Sequence, residues 1–165
     1  MQNALGCYDF DNMVEQSLDT MTDNELQSAI LHEIGEVRAG ELLGSDWEAM
    51  LASMPHSKAE IMVRAVRDHL ADALSTLPGL LSDINTASLH FYVANMANMR
   101  KDLFPKLVAT YEIWTVTGNT QALEQLTDEA AAHWQVLAEK MLATYREQGP
   151  ECQPALISLV EAHSL

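Results

Sequence analysis

Two pairs of ionisable residues carry the chemistry that this sequence suggests. Glu33 and Glu36 lie three apart, and so do His69 and Asp72. Residues at that spacing share one side of a helix. At about 100° per residue, Glu33 and Glu36 fall at the edge of an apolar stripe formed by Leu26, Ile30, Ile34 and Val37. His69 and Asp72 fall at the same offset from a second stripe of Met62, Val66, Leu70, Ala73 and Leu77. Ala29 and Gly40 beside the first pair, and Ala65 and Thr76 beside the second, leave room around both. If the two helices pack antiparallel through their stripes, the pairs meet, and clustered carboxylates of this kind hold a hard cation between helices. Asp68 stands about 40° further round towards solvent and can swing in. A single Glu-x-x-Glu also fits a plain solvated helix flank.

The elements that must position these residues are helices. Thr22 with Glu25 forms a capping box, so the spacing predicts a helix from near Asp23 to Leu43, stopped by Gly44. Residues 1–21 read as a lead-in with a short helix over Asn12–Leu18. Ser45 with Glu48 opens a short helix around Trp47–Ala52. Ser57 with Glu60 opens a long one from Lys58 to Leu77, ended by Pro78-Gly79. Leu80–Ile84 is a short apolar piece. A helix over Thr86–Leu103 follows, then one from Pro105 to Thr117, stopped by Gly118-Asn119. A long helix over Thr120–Gln148, broken near Thr127, carries the stripe Ala130, Trp134, Leu137 and Met141, and Pro154–His163 closes the chain. The expectation is a single all-α domain over 1–165.

Composition narrows the function classes. The chain has 165 residues, enough for a substantial core, and 48% of them are hydrophobic. Its 24 acidic and 9 basic residues give a net charge of −15. Such a surface repels phosphate backbones and anionic membranes, so no nucleic-acid or membrane partner is expected. Cys7 and Cys152 are far apart and form no metal motif. With neither a signal-like segment nor an apolar run of membrane length, the expected compartment is the cytoplasm. Met-rich stripes and three Trp offer more apolar surface than one short bundle buries, so a homo-oligomer, a dimer in the first instance, is expected.

Several stretches together resemble a known family. His32-Glu-Ile-Gly-Glu-Val37 resembles Glu-Glu-x-x-Glu, the first motif of the MazG-like (phage-type) all-α nucleoside triphosphate pyrophosphohydrolases. Arg67-Asp-His-Leu-Ala-Asp-Ala-Leu74 resembles their second motif, Glu-x-x-Asp, and Ser75-Thr-Leu-Pro-Gly-Leu80 is similar to the apolar continuation. Asn98-Met-Arg-Lys101 is similar to their Asn-Met-x-Lys stretch, with Thr110, Trp114 and Gly118 at comparable spacing. The resemblance covers residues 24–118 and leaves 119–165 as additional C-terminal helices. It implies a MazG-like helical bundle that uses Mg²⁺ or Mn²⁺ to hydrolyse a nucleoside triphosphate to the monophosphate and pyrophosphate. Carried over, Glu33 and Glu36 are catalytic. Glu33, Glu36, His69 and Asp72, with Asp68 in reserve, are metal ligands. Asn98, Arg100 and Lys101 bind substrate. Two positions depart from the family pattern: His32 and His69 stand where it has acids. Mg²⁺ prefers oxygen ligands, so His69 implies either that Asp68 substitutes for it or that the ion is softer, such as Mn²⁺.

Two alternatives stay open at this stage. One is a non-enzymatic acidic binding or regulatory protein, including a nucleic-acid mimic. From Lys58 onward the chain loosely resembles the ligand-binding domain of TetR-type regulators, through Glu112-Ile-Trp114, Trp134 and the break at Gly149, but it has no basic helix-turn-helix. The other is a di-metal four-helix protein using His32, His69, His90 and His133, although Glu-x-x-His spacing is missing from the site helices.

Overall fold

The computed structural model describes residues 1–82, 85–96 and 98–165, and among them there is no strand. The fold is all-α, as the periodicity predicts. Its helices are α1 (Gln2–Leu5), α2 (Val14–Leu43), α3 (Ser45–Ala52), α4 (Lys58–Ala71), α5 (Leu77–Ser82), α6 (Thr86–Asn95), α7 (Asn98–Leu103), α8 (Pro105–Thr117), α9 (Gln121–Gln148) and α10 (Gln153–Glu161). No helix among the described residues is long and apolar enough to cross a membrane.

Local punctuation explains most of the boundaries. Ser57 caps α4 by accepting a hydrogen bond from the Glu60 amide at 3.2 Å. Pro105 sits in the first turn of α8, and Gly118 ends it in the left-handed region at φ 69°. Other boundaries differ from the sequence expectation. α2 begins well before Asp23, and Thr22 lies inside it, donating to the Leu18 carbonyl at 2.8 Å instead of capping. α9 runs unbroken through Thr127, whose hydroxyl is absorbed by the Leu123 carbonyl. The stretch expected as one helix over Thr86–Leu103 is divided into α6 and α7, and Asn98 opens α7 at φ 51°. Ala97 in that stretch, and Asp83 and Ile84 of the expected apolar piece Leu80–Ile84, lie outside the described residues.

The second long helix does not stop at Pro78. A π-helical turn, Asp72–Thr76, joins α4 to α5, with the Leu77 amide bonded back to the Asp72 carbonyl. Proline lacks an N–H, and its ring crowds the carbonyl four residues earlier, here that of Leu74. The freed Leu74 carbonyl accepts from Arg38 Nη1 of α2 at 2.8 Å. The wider turn and the borrowed guanidinium let the helix pass its proline, with Asp72 at the start of the irregular turn.

α4 is the central element. Met62, Val66, Leu70, Ala73 and Leu77 are all buried, as their stripe predicts. Ala130, Trp134, Leu137 and Met141 of α9 are buried too, in one apolar cluster reaching from Ala39 to Val160. All three Trp belong to this cluster, with Met50, Met54, Met62, Met96 and Met141. The Trp surface and more than half of the Met surface expected to drive oligomerisation are therefore used inside the chain, while Met1 and Met13 stay exposed.

α2 runs antiparallel to α4 and its continuation. Leu31 meets Gly79, His32 meets Asp72 and Glu36 pairs with Arg67, rising numbers meeting falling ones. The crossing is tight at Gly35, where an added Cβ would stand 2.2 Å from the Ala71 carbonyl oxygen. The face of α2 turned inward is not the one its apolar stripe predicts. Ser17, Gly35, Ala39 and Leu43 are its only buried residues. Leu26, Ile30, Ile34 and Val37 are 55, 44, 41 and 63% exposed.

Candidate functional site

Asp72 is the centre of a polar cluster between α2, the π turn, α6 and α7. Its carboxylate has four partners. His32 Nδ1 lies 2.8 Å away, the Thr76 hydroxyl donates at 2.7 Å, the Tyr92 hydroxyl at 2.9 Å, and Arg100 Nη2 closes an ion pair. Burial works against the charge of Asp72, but the hydrogen bond from His32, Arg100 and the Thr76 hydroxyl outweigh it and hold the carboxyl below its ordinary range. The same hydrogen bond raises the affinity of His32 for its proton, against a smaller opposing effect of burial. Burial pushes the Tyr92 hydroxyl well above its usual range, so it acts as a neutral donor.

The π turn and the small inward face of α2 create this arrangement. Gly35 allows the backbones to touch, which brings His32 over Asp72 one turn away. Arg100 arrives from α7, whose backbone is tied to α4 because His69 Nε2 donates to the Arg100 carbonyl at 2.9 Å. The cluster borders a cleft of about 350 Å³ lined by Glu25, Ser28, Ala29, His32, Asp72, Thr76, Phe91, Tyr92, Asn95, Met96 and Arg100. Within it, exposure is graded. The Asp72 side chain is 1% exposed, those of Arg100 and His32 are 27 and 32%. The acid lies beneath, and the Arg100 guanidinium and the His32 imidazole stand above it.

The residues expected to form one metal site are distributed over several places. Glu33 and Glu36 line a different groove of about 450 Å³ with Gly40, Trp47, Glu48 and Arg67. Glu36 accepts from Arg67 Nη2 at 2.8 Å. Asp68 is partly exposed, with Arg67 Nη2 at 3.7 Å, and burial pushes its carboxyl up despite Arg100 and Arg67. His69 is a core residue. Its ring stacks on Trp134 with centroids 4.8 Å apart and meets the edge of Phe104 at 5.4 Å. Burial lowers its pKa to about 4, so it is neutral at physiological pH. The pairs that face each other are His32 with Glu36 and Asp68 with Asp72, four apart on each helix, not the expected pairs three apart.

Among the described residues, no group of three or more His, Cys, Asp and Glu side chains is arranged to hold a metal ion. The donor chemistry agrees. Asp72 has spent its oxygens on four partners, Glu36 is tied to an arginine, and His69 is held in the core. The four histidines of the di-metal alternative are likewise dispersed. His90 bonds the Tyr111 hydroxyl at 2.7 Å and His133 the His163 carbonyl at 2.8 Å.

Of the expected substrate-binding residues, Arg100 lines the cleft. Asn98 and Lys101 are exposed and do not line it. Sequence reasoning missed Tyr92, Phe91 and Asn95, which share one side of α6 and face the cleft. Their spacing of three to four residues is a weak signal, and nothing in the sequence links residue 92 to residue 72.

Residues 1–163 match the family described as Family of unknown function (DUF6866) C-terminal domain, and the chain belongs to that family. No curated protein and no solved structure matches it.

Proposed function

We propose that this member of the DUF6866 C-terminal-domain family is a binding protein for a small phosphorylated molecule of nucleotide size. The ligand enters the cleft between α2, α6 and α7, and Arg100 and His32 grip its anionic group. The observation that carries this reading is the graded exposure around Asp72. A buried carboxylate fixes a guanidinium and an imidazole that line the cleft and are partly exposed. A guanidinium presents a rigid fork of donors that suits phosphate oxygens, and a protonated imidazole adds a second charge. Phe91 and Tyr92 offer aromatic surface beside them, and the cavity is at the lower end of ordinary small-molecule sites. A buried ion-pair cluster contributes little net stability compared with apolar packing, which favours a role in recognition. The setting in this reading is the cytoplasm, where the unpaired thiols Cys7 and Cys152 stay reduced. The net charge of −15 speaks against nucleic acid as the ligand.

A second reading keeps a specific observation on its side. The antiparallel pairing of α2 with α4 sets His32 and Glu36 opposite Asp68 and Asp72, which suits a nucleoside triphosphate pyrophosphohydrolase of MazG type with Mg²⁺ or Mn²⁺. The donor set as arranged does not fit such an ion, so the binding reading comes first. Thermal-shift and calorimetric titration with nucleoside mono-, di- and triphosphates in a chelator, then with Mg²⁺ or Mn²⁺, separates the two. The binding reading expects stabilisation in chelator that Arg100→Ala abolishes. Pyrophosphate release that needs the divalent ion would replace it with the hydrolase reading. No response to any member of the panel defeats both.

A further inference from the structure

We infer that the exposed apolar face of α2 is a homodimer interface, with a second copy of the chain packed on it antiparallel through a two-fold axis. A 30-residue helix with four buried residues is poorly covered by its own chain. Scattered exposed aliphatic side chains are ordinary on proteins. Here Leu26, Ile30, Ile34 and Val37 form one line on the side of α2 facing away from Gly35 and Ala39. Gly40, at the edge of this face, has nothing within 4 Å of a would-be Cβ, so no contact within the chain accounts for a glycine inside a helix there.

The spacing of the stripe selects a second copy as the occupant. The steps from Leu26 to Ile30, Ile34 and Val37 are four, four and three. The pattern reads nearly the same in both directions. An antiparallel copy therefore sets Ile30 against Ile34 of its partner, and Leu26 against Val37, each contact made twice, as a two-fold interface requires. The area suffices. In this register residues 20–43 of the two copies overlap, roughly 36 Å at about 1.5 Å per residue, and the outward half of a cylinder about 11 Å across has on the order of 600 Å² over that length. That is roughly 1,200 Å² for the pair, the lower end of the range for specific interfaces. Asp23, Glu33 and Glu41 border the stripe, so the rims of two copies repel, and salt should tighten the association by screening them.

This inference is independent of the ligand reading, and either can fail alone. The test is sedimentation velocity and light scattering on the full chain between roughly 1 and 100 µM, where an interface of this size associates. The wild type is expected to dimerise, more tightly at higher salt. The double variant I30E/I34E puts four unpaired charges into the dimer and should weaken association at least about a hundredfold while leaving the far-ultraviolet circular dichroism unchanged. Val37→Glu gives the same readout should the double variant lose helicity. Val116→Glu, at an 87% exposed position on α8, should leave the dimer intact. A wild type that stays monomeric at the top of the range overturns the inference, and so does a dimer that survives both α2 variants.

Discussion

α2 and α4 lie against each other, yet they bury opposite kinds of surface. α4 turns its aliphatic stripe inward and is covered by α9, so Met62, Val66 and Leu70 reach 0 to 2% exposure. α2 turns inward a face of small and polar residues and leaves its aliphatic stripe in water. The difference follows from the contact at Gly35, whose missing side chain lets the α2 backbone rest on the Ala71 carbonyl. At that separation there is no room for a second layer of aliphatic side chains, but there is room for His32 to reach Asp72. Close backbone approach thus builds a polar site where two amphipathic helices would otherwise share a core.

Four perturbations break or sharpen that contrast, taken from the largest expected effect downward. Asp72→Ala leaves Arg100 and His32 without their shared partner and should cost about 3–5 kcal/mol of stability in urea unfolding. It should also lower the pKa of His32, because the Asp72 hydrogen bond is the main cause of its upward shift. A loss below about 1 kcal/mol would mean that the cluster is solvated and the inner face of α2 is not a site. Gly35→Ala drives a Cβ into the Ala71 carbonyl and should cost at least about 3 kcal/mol, read by the same unfolding experiment.

His69 gives a pH signature for the core side of α4. Its folded pKa, about 4, lies below the ordinary value of 6.5. Its contribution is therefore present in full above the unfolded value and is lost as pH falls from about 6.5 towards 4, by about 3 kcal/mol in all. His32 has the opposite sign, since a raised pKa stabilises the fold below the ordinary value and that gain fades as pH rises through the folded value. Comparing the pH dependence of wild type and His69→Phe isolates the first effect, and the variant should lose the acid-side slope. The smallest effect belongs to the outer face. Gly40→Ala meets nothing and should stabilise α2 by about 0.5–1 kcal/mol in dilute solution, measured by the midpoint of thermal unfolding.

Much of the fold was legible because the signals were local. Ser57, Pro105 and Gly118 set helix ends within reach of their own side chains and backbone. The α4 and α9 stripes were correctly read as core. The α2 stripe is just as clear in the sequence, but periodicity reports that a face is apolar and not what covers it. The expected site failed to assemble for a related reason. Pairing Glu33 and Glu36 with His69 and Asp72 assumes that both helices meet through their stripes. They meet instead through the Gly35 face, and α4 widens into a π turn at Asp72 to pass Pro78. That turn, the glycine contact and the arrival of Tyr92 and Arg100 are tertiary events that no spacing encodes. Arg100 was singled out through the resemblance carried by Asn98-Met-Arg-Lys101, which says nothing of its contact with Asp72.

The central claim is that Asp72 holds His32 and Arg100 ready for an anionic ligand. Histidine-ring NMR tests it most directly. A nucleoside triphosphate titrated into the full chain in the presence of a chelator should move the His32 signals saturably and raise the His32 pKa further, with no such change in Arg100→Ala. His32 signals that stay fixed at saturating ligand, or a response that survives the loss of Arg100 unchanged, would contradict the account.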